Sequence, residues 1–217
     1  MIRSNRRKTS EILVSKSGVE VLSPMGKKDD QIKKLVKLHS KWIYQKQLQA
    51  RQENTGKNTY KNNSKLFYLG KKYTLKIVKS KQNSFSFKNG EFVARLVKPT
   101  GKNTRELYVE WSKQKALPII EKSAIQYSKK LGVKPLKISI KNQKNRWGSV
   151  AKNRTIHFNH TLIRAPKKIL DYVIAHELCH LKIPDHSEPY WRLLDSIMPD
   201  YENRKEWLRI NKDLLTN

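Results

Sequence analysis

One short stretch near the carboxyl end of the chain has the residue types and spacing of a metal site, H-E-x-x-H, in His176-Glu177-Leu178-Cys179-His180. Four residues of an α-helix turn through about 400°, so the two histidines would lie only about 40° apart on one helix face. Two imidazoles placed in this way can bind one zinc ion, and Glu177 then projects beside them. The spacing therefore predicts a zinc site with a carboxylate next to it.

His186 is the natural third ligand of this site. It follows His180 by six residues, and Pro184 stops the helix between them, so the chain can reverse and bring the imidazole back. Structural zinc sites usually have four protein ligands, whereas catalytic sites keep one position for water. We therefore predict one Zn²⁺ ion bound by His176, His180 and His186, with one position left for water.

Such a site predicts hydrolysis by an activated water. Zinc lowers the pKa of its water towards about 7 and polarises a carbonyl group. Glu177, which is not a ligand, would take the water proton and later pass it to the leaving amine. The predicted reaction is hydrolysis of a peptide bond in a peptide or protein. A zinc amidohydrolase of small substrates stays open, because the sequence does not show the size of the pocket.

The site needs a helix and a sheet to hold it in place. A helix is predicted between Pro166 and Pro184, with Leu170, Ile174 and Leu178 on an arc that can pack inwards. A long helix is predicted before it, over Asn103–Leu131, and Pro118 should kink or divide that helix. The other predicted elements are strands at Leu136–Ile140 and Arg154–Asn159, a helix from Ser187 to Pro199, and a last helix over Tyr201–Leu215. The fold class is therefore α+β, with the active-site helix on a small mixed or antiparallel sheet.

The first hundred residues have a different pattern, in which short β segments alternate with one helix. Turn residues predict hairpins at Ser17-Gly18, Gly70-Lys71 and Asn89-Gly90, and Asp29 or Asp30 can begin the helix. The polar stretch Asn54–Lys65 reads as a loop. We therefore predict a β-rich basic region over residues 1–100 and a metal-site domain over residues 101–217, with the boundary near Thr100.

The positive charge is concentrated in the same part of the chain. Residues 1–150 contain 36 Lys and Arg against 9 Asp and Glu, a net charge of +27, whereas residues 151–217 contain 11 against 9, a net charge of +2. This asymmetry favours a polyanion partner such as nucleic acid, bound through phosphate neutralisation. The alternative is a solvated lysine-rich surface. A further alternative is a nucleic-acid-binding module with a purely structural zinc site, although such a site would not need Glu177.

Several classes of protein are excluded by composition. The single cysteine, Cys179, forbids an intrachain disulfide and is expected to be a small buried residue. No apolar segment follows the basic start, and no apolar run approaches the roughly 20 residues of a membrane span. We expect a cytoplasmic protein without membrane segments, while its oligomeric state stays open.

The chain resembles a known family in several further segments. It is similar to the YgjP-like zinc metallopeptidases, which are grouped with SprT-like proteases. The similarity is close over about residues 135–205 and looser before them, mainly around Leu69-Gly70 and the hairpins. The matching segments are Asn145-Arg146-Trp147-Gly148-Ser149, Ile156-His157-Phe158-Asn159, Leu170–Leu181, His186-Ser187-Glu188-Pro189-Tyr190-Trp191 and Met198-Pro199-Asp200-Tyr201. The resemblance implies a zincin-like α+β fold with His176, His180 and His186 as zinc ligands and Glu177 as catalytic base, and the SprT-like proteases suggest a protease that acts on proteins bound to DNA.

Two positions depart from related patterns. Val150 stands where the family is expected to have a cysteine, and Ile183 stands where metzincins have a glycine, so the chain is not assigned to the metzincins. The resemblance to zincins also implies an edge strand that takes the substrate, and Arg154–Asn159 is the candidate, with an internal strand that binds no ligand as the alternative.

Several other side chains near the H-E-x-x-H motif could support the metal site or the substrate. Asp185 and Asp195 are candidate partners for histidine N–H groups, although each is better explained as a surface acid. Tyr190 and Trp191 are expected to pack behind His186. His157 and His160 are expected to be structural, with contact to the substrate as the alternative.

Overall fold

A computed structural model of the chain describes residues 2–4, 9–15, 18–40, 42–44, 46–47, 60–143 and 146–216. Ser17 of the first predicted turn, residues 54–59 of the predicted loop 54–65, and Asn145 lie outside these residues. The chain divides into two compact units, Met1–Lys57 and Asn58–Asn217. The boundary predicted near Thr100 stays a prediction, which limited proteolysis would test.

The first unit is a small sheet with one helix. It contains β1 (Ile2–Ser4), β2 (Glu11–Ser15), β3 (Gly18–Pro24) and α1 (Asp29–Leu38). The strand order is β1-β3-β2, and β2 and β3 form the antiparallel hairpin that the sequence predicts. Alternation along the strands and helical spacing in α1 bury Ile12, Val21 and Ile32 together, and Ile43, beyond α1, joins the same cluster.

The second unit begins with a four-stranded sheet. Its strands are β4 (Lys65–Tyr68), β5 (Lys71–Lys79), β6 (Ser84–Lys88) and β7 (Glu91–Leu96), in the order β4-β5-β7-β6. Both predicted turns are present, and Asn89 and Gly90 have the positive φ values that a tight hairpin requires. One face of the sheet packs on a helix through an aromatic cluster that includes Phe92, Tyr108 and Trp111.

The turn between β4 and β5 is attached to the active-site half of this unit. The backbone N–H of Leu69 donates to the carbonyl of Ile163 at 2.8 Å, and that of Gly70 donates to the carbonyl of Arg164 at 2.9 Å. Gly70 has φ +83°, and a Cβ added there would lie 2.8 Å from Cγ of Pro166. Glycine is therefore required at this turn both by the backbone conformation and by the close approach.

Helix α2 (Gly101–Leu131) joins the two sheets of the second unit. Thr100 caps its start by accepting from the N–H of Asn103, and Gly132 ends it with φ +62°. The helix is continuous through Pro118, so Pro118 does not divide it, and the alternative of a kink stays a prediction. Pro118 and Gln114, whose carbonyl loses its helical partner, are both exposed, so solvent can satisfy that carbonyl.

The second sheet is three-stranded and mixed. It contains β8 (Lys137–Lys141), β9 (Gly148–Val150) and β10 (Thr155–Asn159), in the order β8-β10-β9. β10 pairs parallel with β8 and antiparallel with β9. The prediction that Arg154–Asn159 forms the edge strand is therefore wrong, because β10 is hydrogen-bonded on both sides and the edges are β8 and β9.

The remaining elements complete an α+β fold, which confirms the predicted class. They are a 3₁₀ helix (His160–Arg164), α3 (Lys167–Cys179), α4 (Glu188–Ile197), α5 (Tyr201–Ile210) and α6 (Lys212–Thr216). α3 is buried almost all round, and it packs with α2 and the inner face of the second sheet in the main core. Within the described ranges, no helix combines the length and apolar character needed to cross a membrane.

Candidate active site

The H-E-x-x-H motif lies at the carboxyl end of α3. His176 and Glu177 are in the last turn of the helix, and His180 is the first residue after it. The helix ends earlier than Pro184, because the carbonyl of Cys179 accepts from the N–H groups of both Lys182 and Ile183. This tight turn reverses the chain immediately after His180.

The reversal brings His186 back to the other two histidines. Nε2 of His186 lies 3.1 Å from Nε2 of His180 and 3.2 Å from Nε2 of His176. A tetrahedral zinc ion with Zn–N distances of about 2.0–2.1 Å places its nitrogen ligands roughly 3.3 Å apart. The donor atoms and these two separations therefore fit one zinc ion, and one ligand atom of each histidine lies within 4.8 Å of the other two.

The other ring nitrogens of two histidines are held by hydrogen-bond partners. The carbonyl of Ile183 lies 3.0 Å from Nδ1 of His180, so this nitrogen must carry the proton and donate. The Tyr190 hydroxyl lies 2.6 Å from Nδ1 of His176 and 3.1 Å from the His176 carbonyl. Both contacts are hydrogen bonds only if Tyr190 donates to the carbonyl and accepts from Nδ1–H. In each imidazole the lone pair is then on Nε2, as metal binding requires.

His186 is held by aromatic packing. Trp191 stacks on its ring with centroids 5.4 Å apart, and Tyr201 stacks on Trp191 at 5.5 Å. Tyr190 also contacts His186, edge to face at 4.9 Å, as predicted for a residue behind it. Asp185 instead accepts from the backbone N–H of Ser187, and Asp195 is exposed, in agreement with their interpretation as surface acids.

Glu177 is buried, with only 6% of its surface exposed. Burial raises the pKa of its carboxyl group to about 8, and the positive charge of Arg146 acts in the opposite direction. The carboxylate lies against Gly148 of β9, where an added Cβ would be 2.6 Å from Oε1. A glycine at the start of the edge strand therefore makes room for the Glu177 side chain.

A cleft of about 270 Å³ opens beside Glu177 and His176. Arg146 and Trp147, which precede β9, and Gly148 of β9 line one part of this cleft. Tyr172 and Val173 of α3 and Leu208 of α5 line the rest. The cleft is mostly apolar and carries one positive charge. It can therefore hold part of a peptide next to the histidine cluster.

Asn159, at the end of β10, holds the backbone of Gln143 and Arg146 in place. Its amide donates to the carbonyls of Gln143 and Arg146, and its side-chain oxygen accepts from the N–H and hydroxyl of Thr161. Sequence reasoning missed this residue. The only signal for it is an asparagine at a strand end, which is also common in ordinary turns.

The other candidate residues lie outside the histidine cluster. His157 contacts Ser139 at 2.6 Å through Nδ1 and Lys141 at 3.1 Å through Nε2, and His160 is buried near α2. Cys179 is fully buried, and burial raises the pKa of its thiol to about 12, so it stays protonated. Its expected role as a small buried residue is thus consistent with the structure.

The fold and the site together are those of an H-E-x-x-H metallopeptidase. The chain matches the family described as "YgjP-like, metallopeptidase domain" over residues 8–211, and it belongs to the YgjP-like family. The predicted family and enzyme class, a zinc metallopeptidase, are therefore confirmed.

Two solved structures are also similar to this chain. One is the metallopeptidase zymogen of Pyrococcus abyssi abylysin, with 24% identity and a TM-score of 0.40 over 45% of this chain and 97% of that chain. The other is the metallopeptidase zymogen of Methanocaldococcus jannaschii jannalysin, with 25% identity and a TM-score of 0.39 over 44% of this chain and 96% of that chain. A comparison with curated proteins finds no match.

Proposed function

We propose that this metallopeptidase binds one zinc ion through His176, His180 and His186 and hydrolyses peptide bonds with Glu177 as the general base. The observation that supports this most strongly is the convergence of the three Nε2 atoms, two pairs of which lie 3.1 and 3.2 Å apart. A buried carboxyl group follows the first of these histidines in the chain. A purely structural site would gain nothing from burying that carboxyl group, which is costly.

Zinc, when bound, polarises the substrate carbonyl and makes water a stronger acid. The Glu177 carboxylate takes a proton from the attacking water as the new C–O bond forms. It then gives this proton to the amine nitrogen as the C–N bond breaks, so the carboxylate is restored. Burial raises the pKa of Glu177, which makes its carboxylate a better proton acceptor than an exposed one.

The edge of β9 is the place where a substrate strand can add. β10 pairs with one side of β9, and β9 is the last strand of its sheet, so its other backbone edge can pair with an extended peptide. Gly148 of this strand touches Glu177, so a peptide on that edge would lie beside the general base. This arrangement favours a peptidase over an amidohydrolase of small substrates.

Cleavage of an unfolded protein by the zinc-loaded enzyme tests the proposal. Cleavage should disappear after chelation and in Glu177→Gln, while Glu188→Gln, which changes an exposed acid on α4, should remain active. Turnover of small amides without cleavage of any polypeptide would favour the amidohydrolase. Full function in Glu177→Gln, together with unfolding after chelation, would favour a binding module with structural zinc.

We also propose that the protein associates with nucleic acid, through the outer face of the first sheet of the second unit. Leu75 and Phe92 point into the core, so their neighbours in β5 and β7 alternate to the outside. The basic residues on this outer face, here called the basic sheet face, are Lys65, Lys72, Lys76, Lys88 and Arg95.

The basic sheet face has little acid to balance it. Lys76 pairs with Glu91 at 2.7 Å, and the other four basic side chains form no ion pair with any residue in the described part of the chain. All five are exposed, and Lys72 lies over the ring of Phe67 at 5.2 Å. Such a surface neutralises phosphates and gives binding that depends on salt and not on sequence.

Binding of single-stranded DNA, followed by fluorescence anisotropy at several salt concentrations, tests this association. Replacing Lys65, Lys72 and Arg95 together by alanine should weaken binding and make its salt dependence shallower by up to about three units of slope. The matched control replaces the exposed residues Lys115, Lys122 and Lys134. Equal losses in the two variants, or no binding at about 100 mM salt, would refute this surface.

The cytoplasmic location stays a prediction, which fractionation of cells would test.

A further inference from the structure

A second cavity of about 380 Å³ lies between α2 and the 3₁₀ helix. It shares no lining residue with the cleft beside Glu177. The proposed peptidase function therefore does not account for it.

The wall of this cavity carries an excess of positive charge. Its cations are Arg105 and Lys113 of α2 and Arg164 of the 3₁₀ helix, and its acids are Glu106 and Glu110 of α2. Glu110 lies 3.5 Å from Lys113, and both acids are exposed. The formal charge of the lining side chains is +1.

The imidazole of His160 also lines this cavity. It is 3% exposed and has an Nδ1 atom that is buried without a hydrogen-bond partner among the described residues. Burial and the charges of Arg164, Lys113 and Arg105 all lower its pKa, to about 4, so the ring is neutral at pH 7. Burial and three cations of the wall thus act on this imidazole in the same direction.

The excess positive charge of the lining favours an anion as the ligand, and the size of that excess indicates how much charge the anion carries. A net charge of +1 is balanced by one negative charge, which a carboxylate carries, whereas phosphate groups carry about −1.5 to −2 at pH 7. Arginine offers a planar pair of N–H donors that matches a carboxylate, and lysine adds a point charge. A neutral imidazole can donate one further hydrogen bond.

We propose that the cavity between α2 and the 3₁₀ helix is a binding site for a carboxylate group, held by Arg105, Lys113 and His160. The carboxylate could belong to a free small acid or to the carboxyl terminus of a peptide. The proposal is independent of the proposed peptidase function, because the two sites share no residue.

NMR of the full-length protein, with the imidazole signals of His160 as reporter, tests the proposal at constant ionic strength. Acetate should shift these signals in a saturable way, while uncharged acetamide should not. The double variant Arg105→Ala, Lys113→Ala should bind acetate at least tenfold more weakly. This variant is expected to fold, because Arg105 is exposed and Lys113 is only half-buried. Lys102→Ala, which changes an exposed residue of α2 outside the cavity, is the matched control.

Further ligands identify the source of the carboxylate and can overturn the proposal. Tighter binding of N-acetylalanine than of acetate, with no binding of its amide, supports a peptide carboxyl terminus. Tighter binding of acetate supports a free small acid. The proposal is wrong if carboxylates leave the His160 signals unchanged, if the double variant binds acetate as well as the wild type does, or if inorganic phosphate binds more tightly than acetate.

Discussion

The hydroxyl group of Tyr190 forms two hydrogen bonds with His176, one with Nδ1 at 2.6 Å and one with the backbone carbonyl oxygen at 3.1 Å. Tyr190 is fully buried, and burial raises the pKa of its hydroxyl group, so the hydroxyl remains a donor at any ordinary pH. The pair therefore fixes both the tautomer and the orientation of the first proposed zinc ligand.

Replacing Tyr190 by phenylalanine should weaken zinc binding. The ring would stay in place, but Nδ1 of His176 would lose its partner, and loss of such an outer partner typically costs about 10- to 100-fold in metal affinity. Competition with a fluorescent chelator measures the change. Tyr201→Phe is the matched control, because Tyr201 contacts Trp191 through its ring. Unchanged affinity in Tyr190→Phe would contradict the proposed role of the hydroxyl.

Replacing Glu177 by glutamine should abolish hydrolysis while zinc stays bound. Glutamine has the same shape but cannot accept the water proton, and general-base catalysis contributes about 10²- to 10⁴-fold in rate. The measurements are kcat/KM on an unfolded protein substrate and zinc content by mass spectrometry. A variant that binds zinc and keeps wild-type kcat/KM would exclude Glu177 as the base.

Replacing Gly148 by alanine should reduce activity more than stability. The new Cβ would lie 2.6 Å from Oε1 of Glu177, and the carboxylate can move away more easily than the backbone of β9. A shift of about 1 Å in a catalytic group can cost about 100-fold in rate, whereas overpacking typically costs about 1–3 kcal/mol of stability. Kinetics and urea unfolding separate the two effects.

Gly26→Ala serves as the control for this substitution, because a Cβ at Gly26 would meet no atom within 4 Å. Wild-type kcat in Gly148→Ala would show that the contact between Gly148 and Glu177 does not position the carboxylate for catalysis.

The buried His160 should make the folded protein less stable in acid. Its pKa is about 4 in the folded chain, mainly because of burial, and about 6.5 in an unfolded chain. Between these values the unfolded chain binds more protons, so falling pH favours unfolding. The contribution is fully present above pH 6.5, declines as the pH falls towards 4, and amounts to at most about 3 kcal/mol.

Urea unfolding at several pH values between 7 and 4 measures this effect. Replacing His160 by glutamine removes the titrating group, so the free energy of unfolding should fall less steeply with pH than in the wild type. The comparison uses the slopes and not the absolute values, because the substitution itself can change stability. Equal slopes in the two proteins would contradict the prediction.

The clustering of the three histidines could be predicted from the sequence because it depends on local spacing. His176 and His180 are one helical turn apart, and His186 follows a residue that ends helices. The same local reasoning predicted most helices and both hairpin turns of the first sheet in the second unit. In each case the information lies within a few residues of the chain.

Long-range arrangements could not be predicted in this way. Whether β10 is an edge or a central strand depends on which strands pair with it, and β8 and β9 both do. The cavity of His160 likewise needs α2 and the 3₁₀ helix side by side, although Arg105 and His160 are 55 residues apart in the sequence. Pairing and packing across such separations leave no periodic signal in the sequence.

The hydrogen bonds from Leu69 and Gly70 to Ile163 and Arg164 matter for anyone who wishes to shorten the protein. These acceptors lie three and two residues before Pro166, the residue that precedes the active-site helix. A fragment that starts at residue 101 would keep the whole H-E-x-x-H segment but would leave both carbonyls without these donors. We therefore expect truncation at residue 101 to impair soluble expression and zinc retention, and we expect the smallest useful fragment to begin at or before Tyr60.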